Sequence, residues 1–445
     1  MLAVAAISLA GCSIVDLYSE RATVYNVESE QAHDQGILLN IVRASMRRPR
    51  AYTLVQKITG QATATGAATL NFPFGPRISG SNTAAVTGGA SGGPTFEVAT
   101  LETSDFFQSL LLPIPASLFD LYIQGEFPRD LLFNLFIEKI VMRRADGECG
   151  ALNHLRTCEI VFQNYPGRRL QLELFQALAG YLVDLNLSTQ PIKQQNKPKA
   201  PAESKPGSGD SKDKTQTDAP LYVLCFAPRT IETARWVEPI AGCGKPEATR
   251  RTDTSATTLG RVSTVEGIII SPKLGEVFSD IINTQPNREN NGFEAIGSFT
   301  GQHVTLTIYT RSTETATYYV GEVVRTQLYP DLEREPYIVQ FKVGPPFNPF
   351  PLRPCLLDPR PGDGWSCANL FVMDMNAGLN SKPAFSVDYE GTQFSVPSGP
   401  GAGANYNTRA GGSYTVLTVL RQLVIINTNA KSLPSTSVLA ITTTQ

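Results

Sequence analysis

The chain has little of what metal sites and nucleic-acid-binding surfaces are built from. Its 3 His lie far apart in sequence, and no C-x-x-C pair occurs, so the spacing of a zinc site is missing. The formal net charge of -2 gives no reason to expect a nucleic-acid partner. We therefore expect no metal, no other cofactor and no nucleic acid.

Charged residues and long hydrophobic runs are also scarce. Charged residues make up only 18% of the chain, whereas 36 Gly and 31 Pro indicate many turns. No stretch reaches the roughly 18 uninterrupted apolar residues that indicate a membrane-spanning helix. A length of 445 residues allows two or three domains.

Catalytic motifs are missing, with one weak exception. The sequence contains no H-E-x-x-H, no Walker loop and no G-x-G-x-x-G. Gly89–Gly93 matches G-x-S-x-G, but that motif requires its serine on a tight strand-to-helix turn. Ser91 lies instead among Gly, Ala and Thr, with no helical pattern after it. We predict no catalytic residue and no enzyme, and a hydrolase stays an open alternative.

The chain opens with an apolar run, Met1–Ala10, and turns polar directly after Cys12. Such a run matches the h-region of a secretory signal and is far shorter than the ~20 residues of a membrane-spanning helix. Leu9-Ala10-Gly11-Cys12 resembles the lipobox of bacterial lipoproteins. The resemblance implies cleavage after Gly11 and lipidation of Cys12. The alternative is an N-terminal helix with a buried cysteine.

Further resemblance concerns the cellular location. Ser13 follows the cysteine, and in Gram-negative lipoproteins Ser at this position does not retain the protein at the inner membrane. The resemblance therefore implies an outer-membrane anchor with the body facing the periplasm. Several acyl chains make a lasting anchor, since each buried CH2 contributes ~0.8 kcal/mol. The phrases LLNIVRA, YYVGEVVR and VLRQLVIIN also resemble parts of uncharacterised proteobacterial envelope lipoproteins.

Six cysteines remain besides Cys12, and they fall into three sequence-local pairs. The pairs are Cys149 with Cys158, Cys225 with Cys243, and Cys355 with Cys367. Six cysteines allow fifteen pairings, and we prefer the nearest-neighbour scheme because each pair encloses a short loop rich in turn residues. Three disulfides fit an oxidising compartment such as the periplasm.

The hydrophobic patterns predict an α+β fold, with a helical N-terminal half that carries a long β-hairpin and a mixed α/β C-terminal half. We expect a signal peptide over 1–11, a lipidated tether over 12–28, a mainly helical domain over 29–187, a disordered linker or insertion over 188–220, and a mixed α+β domain over 221–445. The 188–220 segment has one Ile and no aromatic residue, so it cannot bury enough apolar area to fold.

Individual elements follow from the same periodicities. Helices are predicted over 29–48, 103–112, 128–144, 170–185, 271–282 and 413–427. Strands are predicted over 221–228, 303–310, 337–343 and 369–375, with a hairpin over 385–396 that turns at Glu390-Gly391. Residues 318–325 look like a strand that runs into a short helix.

One segment, 57–101, has an unusual alternating pattern. Even-numbered positions are mostly apolar or small and odd-numbered positions mostly polar in both arms, with Asn82 and Pro94 as exceptions on the apolar face and a turn at Gly75-Pro76. The candidate membrane-facing residues are Ile58, Ala64, Leu70, Phe72, Phe74, Val86, Phe96 and Val98. A lone hairpin cannot span a membrane, so a membrane role requires several subunits that close a barrel. The favoured interpretation is a soluble surface hairpin or a flexible insertion.

These observations predict an outer-membrane-anchored lipoprotein that acts as a structural or assembly component of a cell-envelope complex. Its expected partners are the membrane, through the N-terminal lipid, and either envelope proteins or further copies of the chain. The alternative is a subunit of an oligomeric outer-membrane channel that uses hairpin 57–101. The third interpretation is an envelope hydrolase.

Overall fold

The structure is a computed structural model of the whole chain. It describes residues 2–60, 63–68, 86–91, 94–101, 103–147, 149–152, 155–192, 221–243, 262–284, 293–329, 338–345, 347–359, 361–376, 383–398, 406, 410–428 and 439–441. These residues fall into two compact units. The hairpin unit comprises Met1–Ile37, Ala51–Phe107 and Thr428–Gln445, and the main unit comprises Leu38–Arg50 and Gln108–Asn427.

Helices and antiparallel sheets are both abundant, which confirms the mixed α+β class. The helices are α1 Leu2–Ser45, α2 Ser104–Leu111, α3 Ala116–Gln124, α4 Arg129–Phe136, α5 Arg169–Asp184, α6 Ile231–Ala234, α7 Pro272–Asn283, α8 Thr313–Leu328 and α9 Ser413–Asn427. Within the described residues, none of these helices has the length and apolarity needed to cross a bilayer.

The strands are short and mostly paired with sequence neighbours. They are β1 Thr53–Gly60, β2 Thr63–Ala68, β3 Val86–Ser91, β4 Pro94–Thr100, β5 Ile137–Arg144, β6 Gly150–Leu152, β7 Leu155–Thr157, β8 Glu159–Gln163, β9 Leu187–Ile192, β10 Leu221–Phe226, β11 Val262–Ile269, β12 His303–Thr310, β13 Gln340–Val343, β14 Ser366–Asn369, β15 Asp374–Met375, β16 Phe385–Tyr389, β17 Thr392–Val396 and β18 Leu439–Ile441.

The main unit is built on a four-stranded antiparallel sheet in the order β11-β12-β5-β8. Its two central strands come from opposite sides of the 188–220 segment, with Leu306 opposite Met142. Strands β9 and β10 also pair with each other, with Leu187 opposite Phe226 at one end and Ile192 opposite Leu221 at the other. Residues 188–192 are therefore a strand, and 193–220 lie outside the described residues. This pairing favours an insertion within one folded body over a linker between two domains.

Several predicted elements are confirmed. Helix α7 covers Pro272–Asn283, close to the predicted 271–282, and the Ser271 side chain caps it by accepting a hydrogen bond from the backbone N–H of Leu274. Helix α9 covers 413–427 as predicted, and its apolar stripe is buried: Leu417, Leu420, Leu423 and Val424. The hairpin of β16 and β17 turns at Glu390 and Gly391, which have φ of 50° and 80°, the values that a two-residue hairpin loop requires.

Three predictions about elements were wrong. The helix predicted over 128–144 ends at Phe136, and its second half is β5, because Ile140 and Val141 pair on both sides within the sheet. Residues 318–325 are helical throughout, because Ser312 and Thr315 form a capping box that starts α8. The strand predicted over 369–375 is interrupted, because β14 ends at Asn369, residues 370–373 are not strand and β15 covers only Asp374–Met375. Residues 12–28, predicted as a lipidated tether, lie within α1, and their role as a tether stays a prediction.

A buried arginine connects the sheet to the helices of the main unit. Arg311 follows β12 and is only 3% exposed. Its Nη1 donates hydrogen bonds to the backbone oxygens of Asn134, Leu135 and Ile137 at 2.9, 3.1 and 2.8 Å. Its Nη2 donates to the backbone oxygen of Asn164 at 2.5 Å. The guanidinium therefore satisfies carbonyls at the α4–β5 junction and at the turn after β8.

Helix α8 provides the remaining contact of this arginine. The Arg311 guanidinium lies over the Tyr319 ring, 3.7 Å from its centroid, in a cation–π contact. Burial lowers the pKa of Arg311 to about 10, so the side chain stays charged at neutral pH. A charge buried this deeply needs close partners, and the carbonyl oxygens, the Tyr319 ring and the Glu138 carboxylate all stabilise it.

Replacing Arg311 with Met should lower the free energy of unfolding by about 3 kcal/mol or more, because the backbone oxygens of Leu135 and Asn164 lose their side-chain donor in the interior. The matched control is Arg143→Met on β5, since Arg143 is 63% exposed and pairs with Glu159 at the surface. The control should cost less than about 1 kcal/mol. Chemical denaturation measures both, and equal small losses would contradict the structural role of Arg311.

Candidate functional site

The predicted lipidation residue, Cys12, lies within α1. Nothing in the structure tests whether its thiol carries a lipid. Lipidation of Cys12 therefore stays a prediction.

The other six cysteines lie at disulfide distance in the nearest-neighbour pairing that the sequence predicted. The pairs are Cys149–Cys158, Cys225–Cys243 and Cys355–Cys367, with Cα–Cα distances of 4.0, 5.0 and 5.8 Å. Cys149–Cys158 closes the excursion between β5 and β8 that contains β6 and β7. Each bridge therefore joins two positions of one local segment.

The predicted hairpin is present in both ladders that the structure describes. Strand β1 pairs with β4 and β2 pairs with β3. Two residues separate β1 from β2, and two separate β3 from β4, so the register of Lys57–Gly60 continues into the second ladder. From Lys57 onward, residues with even numbers are cross-strand partners of residues with even numbers, as in Ile58–Phe96, Ala64–Ala90 and Ala68–Val86. The register shifts between Val55 and Lys57, so Val98 is opposite Val55, and the predicted parity ends at the base of the hairpin.

The predicted tip of the hairpin lies outside the described residues. It comprises Leu70, Phe72, Phe74 and the Gly75-Pro76 turn. The sequence analysis missed β18, which pairs with β4 and places Leu439 opposite Val98. The only signal for this strand was the short apolar stretch VLAI.

The Gly89–Gly93 motif lies in a different context from a nucleophile elbow. Ser91 is the last residue of β3 and is opposite Thr63 of β2. The next element along the chain is strand β4, not a helix. The strand–turn–helix geometry that this motif needs is therefore not the geometry found here.

The main unit contains a cavity of about 480 Å³ that the sequence analysis did not predict. Its lining comes from the end of α5, the segment around α6, the start of α7 and the segment before the third disulfide. The lining residues are Tyr181, Asp184, Thr230, Glu232, Thr233, Trp236, Ser271, Pro272, Lys273, Pro349, Phe350 and Leu352. We call this the Trp236 pocket, and its volume is typical of small-molecule sites.

Asp184 connects three of the four lining segments. It is the last residue of α5, where the helix dipole disfavours a carboxylate. Two donors offset this cost: the Thr233 hydroxyl at 2.8 Å and the backbone N–H of Phe350 at 3.2 Å. Burial lowers the pKa of the nearby Arg229, and the Asp184 charge opposes that shift. The carboxylate therefore has both polar partners and a compensating positive charge.

Two aromatic side chains form part of the wall. The Tyr181 hydroxyl donates a hydrogen bond to the backbone oxygen of Ile269 at 2.9 Å, and burial raises its pKa, so it stays neutral. Trp236 is half-buried, and its backbone oxygen accepts from the N–H of Ile269 at 2.8 Å. The indole N–H of Trp236 forms no hydrogen bond with another described residue, and it is not among the fully buried unpaired donors. A ligand in the pocket could accept a hydrogen bond from it.

An ion pair joins two walls of the pocket. Lys273, in the first turn of α7, lies 2.7 Å from Glu232 of α6, and the side chains are 69% and 51% exposed. The hydrogen bond from Lys273 lowers the pKa of the Glu232 carboxyl. The two opposite charges compensate each other.

Two disulfides stabilise the segments that line the pocket. Cys225–Cys243 closes the segment that carries Thr230, Glu232, Thr233 and Trp236. Cys355–Cys367 follows the segment that carries Phe350, and Phe350 packs edge-on against Trp365 with ring centroids 4.8 Å apart. The described part of the chain contains no cluster of three or more metal-ligating side chains.

Comparisons of the chain with protein-family models, curated proteins and solved structures gave no match. The function is therefore argued from the residues and their geometry.

Removing the Cys225–Cys243 disulfide or the Cys149–Cys158 disulfide should lower the free energy of unfolding by about 3 kcal/mol in the chain-entropy model. The first variant replaces Cys225 and Cys243 with Ser. The control variant replaces Cys149 and Cys158 with Ser. Only the first should alter the fluorescence of Trp236, measured in a Trp365→Phe background, because only the first closes the pocket segment. An equal change in both variants would contradict the proposed support of the pocket.

Proposed function

We propose that this protein is exported and lipid-anchored, and that it acts as a structural or assembly component of a bacterial cell-envelope complex at the outer membrane. The observation that supports this most is the set of three local disulfides in one chain. Disulfides of this kind persist in oxidising compartments and are rare in the cytosol. The Leu9–Cys12 tetrad supplies the expected anchor.

The hairpin unit supports an assembly role through its strand edges. Among the described residues, β2 and β3 pair only with each other, and β1 pairs only with β4. An unpaired strand edge presents backbone N–H and C=O groups that can pair with another chain. Strand addition at such an edge is a recurrent mode of partner recognition. The proposed partners are therefore envelope proteins with a free strand, or further copies of this chain.

Replacing Cys12 with Ala should leave a precursor that is neither cleaved nor acylated, because the modified thiol is missing. Both forms are expressed behind the same added basic n-region, and membranes are fractionated after labelling with a radioactive fatty acid. The wild type should carry label in the outer-membrane fraction, and the variant should not. Ser13→Ala is the control that keeps the cysteine and should be labelled normally. Equal label in Cys12→Ala and wild type would contradict the anchor.

A second candidate function is a subunit of an oligomeric outer-membrane channel. The register shared by the two described ladders from Lys57 onward favours it, because even-numbered residues are then opposite even-numbered residues in both ladders. The sequence spans 57–68 and 86–97 are each longer than the ~9–11 residues with which a tilted strand crosses a bilayer. Several copies would have to close a barrel, and the edges of β2 and β3 would form the contacts between them.

If the hairpin forms a channel, the effect of a substitution should depend on whether the position is even-numbered and faces lipid or odd-numbered and faces the lumen. Ala64→Arg would place a charge on the lipid-facing side, at a cost of about 2–4 kcal/mol near the midplane, and should block insertion. Thr65→Arg would face the lumen and should be tolerated while changing conductance. Planar-bilayer recordings and detergent gel filtration measure the two outcomes. Equal tolerance of both changes, without conductance for the wild type, would exclude the channel and leave the assembly role.

A further inference from the structure

Each carboxylate of the Trp236 pocket already has at least one cationic neighbour. Glu232 and Lys273 compensate each other across 2.7 Å. The carboxylate of Asp184 lies within electrostatic range of Arg229. An ionic ligand would have to replace one of these compensating charges, which costs desolvation without a new counter-charge. The electrostatics of the pocket therefore favour a neutral ligand.

Unused hydrogen-bonding capacity lies beside apolar surface in the same pocket. A carboxylate can accept about four hydrogen bonds, and Asp184 accepts one at each oxygen from Thr233 and Phe350. The indole N–H of Trp236 forms no hydrogen bond with another described residue. The lining combines the aromatic side chains of Tyr181, Trp236 and Phe350 with polar groups, so the ligand should have an apolar face and a polar edge.

Hydroxylated rings meet both requirements. A pyranose has a face of C–H groups that can pack on an indole ring, and its hydroxyls donate and accept hydrogen bonds at the edge. A purely apolar ligand would leave the acceptor capacity of Asp184 and the donor of Trp236 unused in a desolvated site. The pocket is also pre-formed, because Thr230 and Thr233 are held by hydrogen bonds to each other and to Asp184.

We propose that the Trp236 pocket binds a neutral saccharide, whose ring packs on Trp236 and whose hydroxyls bond to Asp184, Glu232 and the indole N–H. The proposal rests on the pocket alone and does not depend on the lipid anchor or the envelope role.

The test uses the chain with its three disulfides intact. The chain has two tryptophans, so Trp365→Phe leaves Trp236 as the only indole fluorophore. Emission is titrated with cellobiose, maltose and N,N′-diacetylchitobiose, and calorimetry of the wild type supplies the affinity. At least one disaccharide should give a saturable change. Its affinity should vary less than about twofold between 50 and 500 mM salt, since a neutral ligand is not screened.

Matched variants separate binding from stability. Trp236→Leu keeps an apolar side chain without the ring or its N–H, and it should weaken binding about tenfold or more. Trp365→Phe, outside the lining, should bind as the wild type does. Thermal unfolding checks that Trp236→Leu is folded. If it is not, Trp236→Phe serves instead, since it keeps an aromatic ring without the indole N–H, and it should weaken binding about threefold or more.

Three results would overturn the proposal. One is the lack of any response to all three disaccharides at about 50 mM, where a weak site would be filled. Another is unchanged affinity in folded Trp236→Leu. The third is a saturable response of Trp236 to a decaproline peptide but to no sugar, since aromatic-lined grooves also bind polyproline helices.

Discussion

The main unit depends on one buried positive charge. Arg311 brings four backbone carbonyls from two separate segments to one point, and these segments are the α4–β5 junction and the turn after β8. Without a donor there, the sharp change from helix to strand at Phe136 would leave carbonyl oxygens buried and unpaired. The same guanidinium orients α8 through the Tyr319 ring. The central sheet, the helices on it and the direction of α5 are linked through this residue.

The position of α5 in turn determines the Trp236 pocket. Asp184 at its end holds the α6 segment and the Phe350 segment by one hydrogen bond each. Disulfides constrain both segments further along the chain, and the Glu232–Lys273 pair joins α6 to α7. A pre-formed cavity with balanced charge results from these contacts, and such a site binds with little ordering cost.

The sequence predicted correctly those elements whose structure depends on residues close together in the chain. Helix α7, the apolar stripe of α9, the Glu390-Gly391 turn and the three cysteine pairs are each encoded within about twenty residues. The β5 strand was missed because Phe136 and Ile137 continue a helical apolar pattern, and only pairing with β8 and β12 selects the strand. The pocket was missed because its residues come from four distant segments, and neither Asp184 nor Trp236 lies in a recognisable motif.

We propose that the mature protein begins with a lipidated cysteine in an oxidising compartment. Mass spectrometry of the N-terminal peptide, from protein purified out of native membranes without reductant, tests this directly. We expect Cys12 as the first residue, with a diacylglyceryl group on its sulfur and an acyl chain on its nitrogen. An N-terminal peptide that extends upstream of Cys12 and carries an unmodified thiol would contradict it.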